Sequence, residues 1–201
     1  MPDYKQREGW EKSQAATVFV LLQKWLTRVR SGADAWDRAS FIEDGVELLS
    51  PAIVRPYARS SQTLADKYKL TLPASMKPGK WAERFAKQFT RELATNVAAD
   101  LRGLGKHATR EDVELIFNRD RARRAGATAV TQAISAGEID AAVFIEKTKG
   151  SKLQVRWQRD RSSNTCKVCW RLNGKLSSYF TIEFPMGPPA HPYCRCYLEF
   201  S

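Results

Sequence analysis

Apolar residues recur at helical spacing through the first two-thirds of the chain. One stripe follows the i, i+3, i+4, i+7 spacing of a helix face and comprises Val18, Leu21, Leu22, Trp25, Leu26 and Val29. A second stripe repeats at every fourth residue and comprises Trp81, Phe85, Phe89, Leu93, Val97 and Leu101. Such stripes are typical of amphipathic helices that bury one face. We therefore interpret both stripes as parts of a hydrophobic core.

Residues that start or stop helices divide this region further. Thr109 and Asp112 have the spacing of a capping box, which begins a helix. Pro51 and Pro56 punctuate the segment that follows the second helical stretch, and Gly137 is expected to end the last helix. The pattern predicts an arm over residues 1–12 and helices over about 14–30, 36–49, 52–68, 78–104 and 110–136.

After residue 137 the periodicity changes. Short runs rich in β-branched and aromatic residues predict strands over 142–146, 153–157, 179–182 and 197–200. The sequence therefore predicts an α+β fold, with a mainly helical region over residues 1–137 and a small β-rich unit over residues 138–201. Because so small a unit has a thin core, we expect a metal to stabilise it.

Composition and charge bear on the partners more than on the fold. The chain has 201 residues, of which 43% are hydrophobic and 27% charged, as in ordinary globular proteins. Its formal net charge of +11 favours an anionic partner. Residues 151–201 are the most basic part, with eight basic and three acidic groups. No apolar run approaches the ~20 residues that span a bilayer, so we expect no membrane partner.

The candidate chemistry lies in the last 36 residues, which hold all four cysteines in the pattern C-x2-C-x21-H-x2-C-x-C. Thiolate and imidazole ligands at such spacings are typical of tetrahedral Zn²⁺ sites. We expect Cys166, Cys169 and Cys194 to be ligands, with either His191 or Cys196 as the fourth. Five candidates for four places favour a closed structural site over a catalytic one. Disulfides or unrelated buried thiols are the alternatives.

The same residues carry a resemblance to a known family. The motif residues include Trp157, Asp160, Arg161, Thr165, the two cysteine pairs, Leu172, Gly174, Lys175, Pro188, Pro189, His191, Pro192 and Arg195. Residues 157–196 resemble the C-terminal signature of the tailed-phage minor head proteins, the Mu F-like head morphogenesis family. The first 100 residues show no such resemblance.

This resemblance implies a structural protein used in assembling a tailed-phage head. The expected partners are portal and capsid proteins, with packaged double-stranded DNA nearby. The expected locations are the virion head and, during assembly, the host cytoplasm. Reduced cysteines suit that reducing compartment.

Six arginines are candidates for contact with DNA or with an acidic partner, namely Arg119, Arg121, Arg123, Arg124, Arg159 and Arg161. Either they bind phosphates or acidic groups, or those in the helix form a solvent-exposed face near the acidic residues at 111–114. His107 lies in a glycine-containing loop, where a solvated role is expected.

Two other functions compete with head assembly. A separate zinc-containing nucleic-acid-binding protein would explain the basic charge, although the spacing of a C2H2 finger is missing. A metal-dependent nuclease would need a general base and an open metal position. The carboxylates nearest the cysteines, Asp160, Glu183 and Glu199, form no paired motif. We therefore expect the protein not to be an enzyme.

Overall fold

A computed structural model describes residues 3–30, 36–76, 78–105, 108–160 and 166–201. Its helices are α1 Tyr4–Arg30, α2 Arg38–Lys67, α3 Gly79–Gly103, α4 Arg110–Ile116, α5 Arg119–Lys149, α6 Lys167–Leu172 and α7 Ser177–Phe180. Its strands are β1 Val155–Gln158 and β2 Tyr197–Phe200. A mainly helical chain with a small C-terminal sheet confirms the predicted α+β class. Within the described residues, no helix is long and apolar enough to cross a membrane.

Helix α1 begins at the fourth residue, so the predicted arm over residues 1–12 is wrong. The reason is burial, because Trp10 packs with Val130 and Ile134 of α5 in a small apolar cluster. The polar sequence around Trp10 conceals this contact. The first turns of α1 are therefore held against α5 instead of extending into solvent.

Helix α2 is continuous through Pro51 and Pro56, so the predicted break between residues 49 and 52 is wrong. Each proline removes one backbone hydrogen bond from the helix. Burial compensates, because Leu49, Ile53 and Tyr57 lie on one face that packs against other helices. Tertiary packing thus overrides the local preference.

Helix α5 is the central helix and contacts both α1 and α2. It runs past Gly137, so the predicted helix end there and the predicted strand over 142–146 are both wrong. Gly137 is instead a close contact, since a Cβ there would lie 2.3 Å from the backbone oxygen of Tyr57. Ala141, Ala142 and Ile145 continue the buried face of the helix. The predicted domain boundary therefore falls inside α5.

The helices α1, α2, α3, α4 and α5 share one core. Trp25 lies near its centre, with ring centroids 5.6 Å from those of Trp36 and Phe41. The first apolar stripe is buried except for the partly buried Val29. In the second stripe the members from residue 89 to residue 97 are buried, whereas Trp81, Phe85 and Leu101 are partly buried. Thr109 and Asp112 form the predicted capping box at the start of α4.

The C-terminal unit is a two-stranded antiparallel sheet with two short helices between its strands. Strand β1 pairs with β2 in the register Val155↔Phe200 and Gln158↔Tyr197. The predicted strand over 179–182 is wrong, because residues 177–180 form α7. Trp157 lies at the centre of a second core, with its ring centroid 5.4 Å from that of Phe180. This core also includes residues of α2 and α5, so the unit is packed on the long helices.

The close contact at Gly137 gives a stability prediction. Gly137→Ala should lower the free energy of unfolding by about 1–3 kcal/mol, because the added methyl group must separate α5 from α2. Gly9→Ala is the matched control, since nothing lies within 4 Å of its Cβ position in α1. That control should be neutral or stabilising by up to ~1 kcal/mol. Urea unfolding measures both, and equal stability of the two variants would contradict the close approach.

Candidate metal centre

The first cysteine pair lies at the start of a short helix. Cys166 is the N-cap of α6, with an extended backbone, and its Sγ accepts a hydrogen bond from the backbone N–H of Cys169 at 3.4 Å. An N-cap and the third helical residue lie on the same side of the first turn. The helix start therefore brings both sulfur atoms together.

The second group of candidate ligands comes from the turn that leads into β2. The backbone N–H of Cys194 donates to the carbonyl oxygen of His191 at 3.1 Å. Between them, Tyr193 adopts a left-handed conformation with φ of 65°. This tight turn points His191 and Cys194 toward α6, and Cys196 follows them at the base of β2.

Cys169 is the meeting point of the two groups. Its Sγ lies 3.2 Å from His191 Nε2 and 3.7 Å from Cys194 Sγ. Two sulfur ligands of a tetrahedral zinc ion, each at about 2.3 Å, are about 3.8 Å apart. The ligand atoms of Cys166, Cys169 and His191 lie within 4.8 Å of one another, and so do those of Cys169, Cys194 and Cys196. The cluster could therefore hold a metal ion, and all four cysteines are free thiols.

The orientation of His191 also suits a metal ligand. Its Nδ1 lies 2.9 Å from the backbone oxygen of Pro192. A proton on Nδ1 would donate to that oxygen and leave Nε2 with its lone pair toward Cys169. Metal-binding histidines commonly use their second nitrogen in this way.

The thiols influence one another strongly. The hydrogen bond with Cys194, followed by that with Cys196 and by burial, raises the pKa of the Cys169 thiol. The hydrogen bond with Cys169 lowers the pKa of the Cys194 thiol to about 2. These opposite directions favour a shared proton that is held mainly by Cys169. A divalent cation would displace the remaining proton and stabilise the negative charge.

Side chains of α5 and α1 hold the turn that carries the second group. The Thr131 hydroxyl donates to the Cys194 carbonyl oxygen at 2.7 Å, and the Thr128 hydroxyl accepts from the Tyr193 N–H at 2.9 Å. The Arg7 guanidinium donates to the Arg195 carbonyl oxygen at 3.0 Å. Sequence reasoning missed all three side chains, because nothing in their spacing connects them to the cysteines.

A buried ionic cluster lies behind this turn. Glu11 accepts from Arg7 at 3.1 Å and from Arg195 at 2.5 Å. The side chains of Arg7, Glu11 and Arg195 are only 6%, 7% and 17% exposed. We call these three residues the Arg7–Glu11–Arg195 cluster. It links the N-terminal helix to the residue between the last two cysteines.

The candidate arginines within the described residues line different grooves or make separate local contacts. Arg121 pairs with Asp100 and lines a groove of about 410 Å³ together with Arg124. Arg119 and Arg123 line a different groove, of about 670 Å³, between α1 and α5.

The remaining contacts of these arginines are local. Arg119 lies 5.3 Å from the ring centroid of Phe19, and Arg123 lies 3.6 Å from Asp120. Arg159 stacks on Trp170, with 3.9 Å between the guanidinium carbon and the ring centroid. The acidic partners that we find, Asp100 and Asp120, are not those at 111–114 that the sequence suggested. Arg161 and His107 lie outside the described residues, so the predictions about them stay predictions.

Glu138 is a buried carboxyl group on α5, 3% exposed. Burial raises its pKa to about 8, against a smaller opposing effect of Arg7. The folded state therefore favours the protonated form, and this contribution to stability is lost as the pH rises from about 4.5 to about 8. Each pH unit in this window corresponds to at most about 1.4 kcal/mol.

Glu138→Gln should remove this pH dependence. The stability of the variant relative to the native protein should rise between pH 5.5 and pH 8. In this range the native protein must protonate Glu138 as it folds, at a cost that grows with pH, whereas the glutamine needs no proton. Urea unfolding of both metal-loaded proteins at the two pH values measures the difference. Glu47→Gln, at an exposed position of α2, should show no such trend. A constant difference for Glu138→Gln would contradict the raised pKa.

Fold and site together define a helical protein whose small C-terminal unit has a Cys/His cluster able to hold a metal ion. A family model described as Phage Mu protein F like protein matches residues 67–199, and the chain belongs to this family. The protein is therefore a phage head morphogenesis protein, as the C-terminal signature suggested. The match begins at the end of α2 and so extends well upstream of that signature. No curated protein and no solved structure matches the chain significantly.

Proposed function

We propose that the protein is a minor component of a tailed-phage head that binds the portal or the inner capsid surface, close to packaged DNA. The observation that carries this proposal is the family match over residues 67–199. The long helices offer contact surface, and the net charge of +11 suits a position beside DNA. On this proposal the protein acts in the host cytoplasm during assembly and then in the virion head, and it catalyses no reaction.

The metal in this proposal is structural Zn²⁺. Sulfur and imidazole ligands suit this ion, and the distance between the Cys169 and Cys194 sulfur atoms suits its tetrahedral geometry. Cys169 belongs to both possible ligand triads and so is the central ligand. The β1–β2 sheet has only four paired positions, so the ion would contribute much of the stability of the unit.

We assign the four ligands as Cys166, Cys169, His191 and Cys194. The ligand atoms of His191, Cys166 and Cys169 lie within 4.8 Å of one another, and Cys194 Sγ lies 3.7 Å from Cys169 Sγ. Cys196 would then be the spare thiol, buried with Trp157 in the second core. Metal analysis of single Cys→Ser variants tests the assignment, since only Cys196→Ser should keep a full equivalent of zinc.

Co-sedimentation tests the assembly role. Purified protein is mixed at physiological salt with portal rings, with empty heads that lack it, and separately with double-stranded DNA. Binding to rings or heads, with weak and salt-sensitive DNA binding, is the expected result. Tight DNA binding without affinity for rings or heads would favour the alternative of a separate zinc-containing nucleic-acid-binding protein.

DNA contact in this proposal is made by the exposed arginines of α5. Arg123→Gln with Arg124→Gln should weaken DNA binding and reduce the slope of log affinity against log salt by about one per lost phosphate contact. Fluorescence anisotropy with duplex DNA at several salt concentrations measures both effects. Arg121→Gln is the control, because Arg121 is paired with Asp100 and less exposed. Equal effects of the control and the double variant would contradict this placement of the contact.

A further inference from the structure

Exposed large apolar side chains concentrate in the C-terminal unit, which holds six of the nine found among the described residues. Trp170, Leu176, Tyr179 and Ile182 are 57%, 37%, 50% and 89% exposed. We call these four residues the C-terminal apolar face. Five other large apolar side chains of the described residues are comparably exposed, namely Val20, Leu115 and Val143 on α1, α4 and α5, and Met186 and Tyr193 elsewhere in the C-terminal unit. The Arg171–Glu183 ion pair brings the neighbours of Trp170 and Ile182 together, and clustered exposed apolar side chains mark interaction sites.

The face is separate from the metal centre although it shares elements with it. In α6, Cys169 and Leu172 point into the second core, whereas Trp170 points to solvent. In the same way, Phe180 of α7 is buried while Tyr179 is exposed. The inner side chains already supply the packing of the unit. The outer ones are therefore not needed for its core.

Local contacts hold the face together. The Arg171 guanidinium pairs with Glu183 at 2.6 Å, which joins the end of α6 to the turn after α7. The Trp157 N–H donates to the Lys175 carbonyl oxygen at 2.9 Å, and the Gly174 N–H donates to the Trp157 carbonyl oxygen at 2.7 Å, which ties β1 to the turn that precedes α7. Such a pre-ordered surface loses little conformational entropy when it binds.

The charges around the face are mainly positive. Arg159 lies over the Trp170 ring, and the Lys175 ammonium lies 5.1 Å from the Tyr179 ring centroid. Lys167 is exposed on α6. Glu183 is the one acidic residue between residues 167 and 186, and it is paired with Arg171. An acidic partner would complement this rim.

We infer that the C-terminal apolar face binds an acidic polypeptide surface with an apolar centre, carried by a portal or capsid protein. This inference rests on the proposed role in head assembly. A polypeptide fits better than DNA for two reasons. Ile182 offers nothing to a phosphate backbone, and Arg159 already covers a ring face of Trp170 on which a base could stack. Aromatic and arginine side chains are also the residues that dominate protein–protein binding energy.

The test compares binding of full-length, metal-loaded variants to empty heads that lack the protein. Tyr179→Ser with Ile182→Asp changes the apolar face, and Lys175→Glu changes its charge. Leu115→Asp is the control, at a position 66% exposed on α4. We expect the face variant to bind heads about 10-fold or more weakly, Lys175→Glu to bind more weakly at low salt, and the control to bind as the native protein does. Metal content and circular dichroism should be native in all.

The possible results separate the proposed interface from the proposed role in head assembly. If the native protein binds heads and the face variants bind equally well, the face is not the interface, while the role in head assembly stands. If the native protein does not bind heads or portal rings, the proposed role and this inference both fail. If the face variants lose DNA binding as strongly as head binding, the face contacts nucleic acid and the acidic polypeptide is wrong.

Discussion

Removal of the metal, by a chelator or by Cys169→Ser, is expected to unfold the C-terminal unit and leave the long helices folded. Cys169 belongs to both ligand triads, so no spare cysteine can replace it. Without the ion, the unit keeps the four paired positions of its sheet and the packing of its core on α2 and α5. Zinc binding contributes about 10–16 kcal/mol to the folding of small zinc-binding peptides. Protease cleavage within residues 151–201 should therefore become about 100-fold faster or more, with most of the helical circular dichroism retained.

Cys196→Ser is the matched control for this experiment, because it removes a buried thiol of the same cluster. With the ligand assignment proposed above, this variant keeps its metal and resists the protease as the native protein does. Zinc content, measured in reducing buffer, should fall to zero for Cys169→Ser and stay at one equivalent for Cys196→Ser. Native protein that is purified without metal and yet resists cleavage in the C-terminal unit would refute the structural role of the ion.

The composition of the candidate site could be predicted from the sequence, because its information is local. The C-x2-C and H-x2-C spacings each fit one tight turn, and the structure brings both turns to Cys169. The choice between His191 and Cys196 could not be predicted in this way. That choice depends on how the two turns are oriented toward each other. Contacts with α5 and β2, which lie outside the motif, set this orientation.

The errors about helices have a common physical origin. Gly137, Pro51 and Pro56 are local signals that normally end helices. In this fold, Gly137 instead allows α5 to approach the backbone of α2 at Tyr57. The prolines of α2 lie in a helix whose buried face supplies more free energy than the lost hydrogen bonds cost. Single-sequence patterns report local preference and not contacts between distant segments.

The polar N-terminal segment shows the same limitation of sequence patterns, because here polar residues are buried. Arg7 and Glu11 have the sequence appearance of a solvated helix face. Their partners, Thr131 and Arg195, are 124 and 184 residues away, respectively. Charged side chains that find such partners become buried, and the segment they belong to becomes part of the fold. The metal centre is therefore supported by the first helix as well as by its own turns.

Glu11→Ala is expected to cost about 3–5 kcal/mol in the free energy of unfolding, because it leaves the buried Arg7 and Arg195 without their shared carboxylate. The effect should extend to the metal. Arg7 holds the Arg195 carbonyl, directly beside Cys194, so a displaced Arg7 loosens one ligand. Residues that orient metal ligands typically contribute 10–100-fold to metal affinity. Urea unfolding and competition with a zinc-binding dye measure the two losses.

Glu8→Ala is the matched control for Glu11→Ala, since Glu8 pairs with Lys12 on the solvent side of the same helix. An exposed pair with this spacing contributes about 0.5 kcal/mol or less. A variant that lost stability but kept native zinc affinity would show that the cluster only fixes α1. If both losses appear together, and only for Glu11→Ala, then the N-terminal helix and the metal centre form one cooperative unit. Release of zinc would in that case weaken the attachment of α1, because energetic coupling between two sites is reciprocal.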